Sequence, residues 1–261
     1  MAERPIFVPA PEAPELVHEI FLRMKWHSGF APVQKEKNVL ALHAAAAEAG
    51  YSPLLEVSSK SAEKLGRHLS AFHLKVQSSL GEIPLESAFQ GSKVFERGGP
   101  FTELYAADAR TAKRDERLRD SGRIVAFQFD GTRFPTEPRT AFYDWLYINA
   151  IYPHREWLTR LNRYAGFTDI EFNPERSVNC QARSCALFVS LIAKGLLERA
   201  VASPQAFIDV LSEHAYRPRQ VERASQHTFT ERRPNQAPVR EADEGDARTT
   251  SRVKTKQVVG R

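Results

Sequence analysis

The chain has 261 residues, 42% of them apolar and 26% charged, an ordinary balance for a globular protein of one or two domains. No apolar run nears the roughly 20 residues of a membrane span, the opening MAERPIFVPAPEAPE puts acids and prolines where a signal peptide carries its apolar core, and two cysteines are too few for a disulfide framework, so the expected setting is reducing and cytoplasmic, with no membrane partner. The formal charge of +5 belongs to the C-terminal end, where 11 basic and 6 acidic residues follow Tyr216; the rest is neutral, and phosphate affinity there must come from local placement of cations.

In chain order, LVHEIFLRMKW alternates apolar and polar residues and predicts a strand over 16–26. Residues 34–49 read as a helix with an alanine-rich centre, stopped by Gly50. LLEV at 54–57 and HLKV at 73–76 read as short strands on either side of a helix over 61–71. A helix over 85–96 ends before Gly98-Gly99-Pro100, and 108–121 forms a charged helix. IVAFQFDG at 124–131 is a strand entering an Asp-Gly turn. Helices over 138–151 and 153–164 meet at Pro153, and Gly166 ends the second. FTDIEF is a strand over 167–172, and helices over 178–194, with Gly195 behind it, and 203–214 complete the series. Helices outnumber strands without alternating regularly with them, which predicts an α+β fold: one helix-rich domain over 1–214 with a small set of short strands. Residues 217–261 hold one aromatic, Phe229, and no Leu, Ile or Met. Such a segment cannot bury enough apolar surface to offset its ordering entropy, so 215–261 is expected to be a disordered basic tail.

The common catalytic signatures are missing: there is no G-x-S-x-G, no Walker-type loop and no H-E-x-x-H. The eight histidines are scattered singly, and Cys180 and Cys185, five apart, diverge by about 140° on an ideal helix. They read as buried core thiols, and no metal is expected. The segment LESAFQGSKVFERGGP stands out. If 85–96 is helical, Glu86, Gln90 and Lys93 share one stripe at i, i+4, i+7, while Leu85, Ala88, Ser92 and Phe95 form the core-facing one. Glu86 and Lys93 are then about 10 Å apart along the axis, too far for a direct bond. On periodicity alone the polar stripe reads as a solvated helix face.

The E-x-x-F-Q-x-x-K pattern of Glu86, Phe89, Gln90 and Lys93 resembles the signature helix of the NADAR superfamily, the YbiA-like proteins. ADARTAKRDERLRDSGR resembles that family's Ala/Lys/Arg-rich helix, and SVNCQARSCALFVSLIAKGL its closing helix, where an Asn precedes an apolar run. KWHSGFA at 25–31 stands where the family carries an aromatic, Ser, Asn, Phe loop, with Gly29 in place of the Asn; FNPERSVN replaces a Tyr-Trp-Gly-Asp-like stretch. The arrangement, over roughly residues 15–214, is most similar to the NADAR antitoxins paired with DarT-type DNA ADP-ribosyltransferase toxins.

The resemblance implies an ADP-ribosyl glycohydrolase that removes ADP-ribose from guanosine in DNA, needs no cofactor, and acts as antitoxin to a DarT-type toxin whose direct binding stays open. Lys93 is implied as nucleophile and Glu86 as proton shuttle. Trp26, His27, Ser28, Gly29, Phe30, Gln90, Arg114, Asn179 and Arg183 are implied in holding ADP-ribose and the guanosine. Arg97 and Arg123 are further candidates for the diphosphate, and Trp145, a stacking candidate, reads better as core. Two alternatives remain: an N-glycosidase for free riboflavin-pathway or other nucleotide metabolites, and a non-enzymatic module that binds ADP-ribose or sequesters a toxin.

Overall fold

The computed structural model describes residues 1–214, a mixed α and β domain as expected; the predicted tail over 215–261 lies outside them. Strands β1 (Ala2–Ala10) and β2 (Leu16–Met24) pair antiparallel over nine residues, from Ala2 opposite Met24 to Ala10 opposite Leu16. The sequence reading has β2 but not β1, because Pro5 and Pro9 argue against a strand. They are tolerated because they lie four apart, so their missing donors fall on one edge, and β1 meets its other neighbour only at Phe7.

Helix α1 (Pro32–Glu48) follows, then β3 (Leu54–Glu56), and β3 pairs in parallel with a distant strand, β9 (Gly166–Thr168), giving the sheet order β2-β1-β9-β3. Parallel pairing demands a crossover. The crossover is the whole span 57–165, and it carries the remaining strands and most of the helices. Within it α2 (Lys64–His68) is shorter than the predicted 61–71. Strand β4 (Lys75–Ser78) sits two residues beyond HLKV and pairs with β5 (Gly81–Pro84). Asp130 fastens the intervening turn by accepting from the Ser78 hydroxyl at 2.7 Å and the Ser79 amide at 2.9 Å.

The predicted helix over 85–96 divides. Helix α3 (Leu85–Gly91) stops where its last residue touches the next segment: a Cβ on Gly91 would lie 2.7 Å from the Tyr105 ring and 2.9 Å from the Phe101 carbonyl. Lys93–Phe95 is strand β6, paired with β7 (Ile124–Phe129). The Val94-Phe95 pair suits a strand, and the Gln128 amide extends the ladder by donating to the Ser92 carbonyl at 2.7 Å. β7 turns through Asp130 and Gly131, both at positive φ (46° and 77°), into β8 (Thr132–Phe134), as the Asp-Gly signal predicts.

The charged segment 108–121 is two short helices, α4 (Ala109–Arg114) and α5 (Arg117–Asp120). The side chain of Asp108 caps α4, accepting from the amides of Arg110 and Thr111, and Asp115 begins the next turn by accepting from the Arg117 amide at 3.0 Å. Helix α6 (Ala141–Ile151) runs close to the predicted span. The predicted 153–164 helix is instead α7 (Arg155–Leu158) between two 3-10 turns. Of FTDIEF only its first two residues are in β9, because Asp169 folds back to accept from the Glu171 amide at 3.0 Å. Helix α8 (Gln181–Ala193) starts three residues later than predicted, and α9 (Leu197–Val201), which has no counterpart in the sequence reading, precedes α10 (Pro204–Glu213), capped by Ser203.

Helices α6 and α8 are apolar almost all round and form the centre of the larger core. A smaller core of Ile6, Met24, Val39, Leu42, Ala46, Leu54 and Ile170 lies between the β1-β2 hairpin and α1. Ser190 of α8 ties the hairpin to the centre: its hydroxyl accepts from the Ala10 amide at 3.0 Å and donates to the Leu16 carbonyl at 2.6 Å. Among the described residues no helix is long and apolar enough to cross a membrane.

Candidate active site

Helix α3 is anchored at both ends before it presents anything polar. Ser87 donates to the Ala107 carbonyl at 2.8 Å, and Ser92 bonds the Tyr105 hydroxyl at 2.8 Å. Its Phe89 ring lies among Phe127 (5.8 Å), Phe142 (6.1 Å) and, edge-on, Tyr143 (5.1 Å). This aromatic packing fixes the helix rotation, and with it the polar face.

On that face Glu86 and Gln90 are buried, 5% and 6% exposed, which overturns the solvated-face reading of the stripe. Gln90 Nε2 donates to Glu86 Oε1 at 2.8 Å, and Lys93 Nζ donates to Gln90 Oε1 at 2.5 Å. Glu86 and Lys93 are therefore linked although no helical turn connects them: the amide between them spans the gap. The Lys93 ammonium position lies 4.7 Å from the centroid of the Phe89 ring. Burial pushes the Lys93 amine down to about 8, helped by the charge of Lys113 and opposed by Glu86. Lys113, from α4, reaches Glu86 Oε1 at 3.5 Å and stands 5.4 Å over the Phe72 ring. Tyr143, fully buried near Glu86, has its phenol raised well above the usual value, chiefly by burial.

A second polar cluster lies at the β3-β9 pair and the start of α8. Glu56 is buried and accepts from Ser58 (2.5 Å), Thr168 (2.7 Å) and the Ile170 amide (2.9 Å); burial raises its carboxyl. Asp169 is pushed up to about 8 by burial and by Glu56. Gln181 donates to Asp169 at 3.0 Å and accepts from the Ala71 amide at 2.6 Å, so it holds the residue next to Phe72.

Glu86, Gln90 and Lys93 are thus brought together, and the other expected residues are distributed around the fold. The loop of Trp26, His27, Ser28, Gly29 and Phe30 is fixed by Asn38, which accepts from the His27 amide at 2.7 Å and donates to its carbonyl at 2.9 Å. Trp26 packs on the smaller core with Arg4 4.8 Å over its ring, while Phe30 is 99% exposed. Arg114 is exposed on α4. Arg183 is buried in the first turn of α8, but Asn179 precedes that helix, with Cys180 as its N-cap, so the two do not share a helical face. Asn179 Oδ1 is buried without a hydrogen-bond partner among the described residues. Arg97 donates to the Asp120 carbonyl and Arg123 pairs with Glu96, which gives both a place in the local structure. Trp145 packs between Phe129 and Phe134, and both cysteines are buried thiols pushed upward, Cys185 to about 12.

The sequence reading does not single out Lys113, Tyr143, Asp169 or Gln181. Lys113 had a visible signal, being one cation of the Ala/Lys/Arg-rich segment, but only α3-α4 packing selects it from its neighbours. A family model described as DarT1-associated NADAR antitoxin matches residues 2–221. No curated protein was found to match the chain.

Proposed function

We infer, from a chain that belongs to the DarT1-associated NADAR antitoxin family, that its site hydrolyses the N-glycosidic bond joining ADP-ribose to guanosine in DNA, and so reverses the product of a DarT-type toxin. The observation that carries this reading is the Glu86–Gln90–Lys93 array, which ends in an amine pushed down to about 8, so that its free form is far more populated near neutral pH than that of an ordinary lysine.

The bond to be broken is an aminal, with the anomeric carbon held by both the ring oxygen and the exocyclic nitrogen of guanine. When the ring oxygen leaves and takes a proton from solvent, the guanine nitrogen supplies the electron pair, and the anomeric carbon becomes an iminium. The free amine of Lys93 adds to that carbon. Through a solvent molecule, since Gln90 separates the two side chains, Glu86 accepts the proton the amine loses and returns it to guanine nitrogen as the carbon–nitrogen bond to the base breaks. The product is unmodified guanosine in DNA and an imine between Lys93 and the opened ribose. Water then adds to the imine, and collapse of the carbinolamine restores the Lys93 amine and free ADP-ribose. An ammonium has no lone pair for the first addition, which is why the lowered Lys93 value matters. Gln90 orients the amine without neutralising it, since an amide oxygen accepts from either form.

The test is incubation with an oligonucleotide carrying ADP-ribosylated guanosine. Release of ADP-ribose with recovery of the unmodified strand supports the reading. An intact substrate, with turnover only of a free ribosylated nucleotide, replaces it with the metabolite glycosidase.

A further inference from the structure

The Glu86–Gln90–Lys93 relay poses an electrostatic problem. A buried carboxylate two hydrogen bonds from a lysine would ordinarily hold that lysine as its ammonium, because the buried negative charge needs a counter-ion. A nucleophilic role requires the opposite. Three features bear on how the conflict is met. Lys113 Nζ stands 3.5 Å from Glu86 Oε1, the same oxygen to which Gln90 donates. The Lys113 side chain is 56% exposed and the Glu86 side chain 7%, so the cation approaches the carboxylate from the solvent side and keeps its own hydration. The Phe72 ring supports it from beneath, and the neighbouring Ala71 amide is held by Gln181.

We propose that Lys113 is a positioning residue, the counter-ion of Glu86, which releases Lys93 from that duty and so favours its free-amine form. This deepens the glycohydrolase reading and assigns a task to a residue outside the signature pattern. Among the described residues Glu86 has two cationic neighbours on separate elements, of which only Lys113 reaches it directly; Gln90 stands between Glu86 and Lys93. The charged groups acting on Lys93 are Glu86 of α3 and Lys113 of α4, while its strand partner β7 carries no ionisable side chain. Tyr143 of α6, which also feels Glu86, is buried with its phenol held well above neutrality, so it adds no charge. Removing Lys113 acts on Lys93 twice in the same direction: a repelling charge disappears, and Glu86 is left with Lys93 as its sole cation.

The experiment reads Lys93 directly and needs no turnover. The full-length protein is exposed to trace acetic anhydride across pH 6 to 10, and acetylation of Lys93 is quantified by mass spectrometry of its peptide. In the wild type, half-maximal labelling is expected near pH 8. Lys113→Met should move that midpoint upward and reduce labelling at pH 7 by about 5–10-fold, as expected for loss of one nearby like charge. Lys113→Arg should restore the wild-type profile. A merely structural lysine would leave the midpoint of a folded Lys113→Met protein unchanged, and that result overturns the proposal. Lys113→Gln provides a second neutral variant should the methionine variant not fold. Because labelling is scored without substrate, an inactive wild type with a shifting midpoint would refute the glycohydrolase reading alone.

Discussion

At the residue scale, the proposed chemistry concentrates on one nitrogen. Lys93 Nζ donates to Gln90 and lies against the Phe89 ring, and its titration near 8 sets the pH dependence expected of the reaction. In the proposed reaction the reactive form is the free amine, so kcat/KM should rise about tenfold per pH unit below that value and level off above it. Lys93→Arg tests the same atom: guanidinium keeps charge and reach but stays protonated in this range. If Lys93 forms the imine, arginine and alanine variants should be nearly equally inactive, and borohydride added during turnover should reduce an ADP-ribosyl adduct onto wild-type Lys93 alone. An active Lys93→Arg protein with no adduct would move the lysine to electrostatic support. The pairing of Glu86, Gln90 and Lys93 was legible, because their types match a known pattern, but their burial was not, since spacing places residues on a face without saying what covers it.

At the element scale, the division of the 85–96 segment into α3 and β6 determines where Lys93 points. Periodicity favoured one helix; pairing of Lys93 and Val94 with Phe127 and Ala126 of β7, some thirty residues on, overrode it. Gly99 backs this strand. Its φ is +82°, and a Cβ there would meet the Lys93 carbonyl oxygen at 2.3 Å. Gly99→Ala should therefore destabilise the fold by at least ~2 kcal/mol, the sum of positive-φ strain and overpacking. It should also lower activity in whatever fraction stays folded; chemical denaturation together with kinetics would show a tolerant site if neither changes. The β3-β9 pair carries the other element-scale prediction. Asp169 keeps its proton in the folded state up to about 8, whereas the unfolded chain releases it near 3.8. Between those values the native state binds more protons, so stability falls as pH rises through that window. Asp169→Asn cannot titrate. Its Tm should start lower, for an amide must place a donor where Asp169 accepts from Gln181 and the Glu171 amide, but its decline from pH 5 to 8 should be shallower than the wild type's. Parallel slopes would show that Asp169 ionises in the folded protein as it does unfolded.

At the scale of the molecule, the family match ends at residue 221, so removing 222–261 should leave kcat/KM on a short ADP-ribosylated oligonucleotide within twofold of the full chain. A larger loss would give the C-terminal segment a part in substrate capture. The elements that could be read from the sequence were those whose cause is local: the Asp-Gly turn before β8, the Gly195 stop behind α8, Ser203 before α10 and the alternation of β2 all depend on a few adjacent residues. The family pattern, likewise, is a run of eight residues. Other features depended on partners far along the chain. β1 forms despite its prolines because β2 supplies a nine-residue ladder, and the parallel β3-β9 pair joins residues more than a hundred positions apart. The sequence by itself determined which side chains were available for the chemistry, since residue type and short-range spacing are written in it. Tertiary structure alone decided that Gln90 would separate Glu86 from Lys93 and that Lys113, rather than one of its neighbouring arginines, would reach the carboxylate, because those choices depend on how α3, β6 and α4 pack and not on any one segment's preferences.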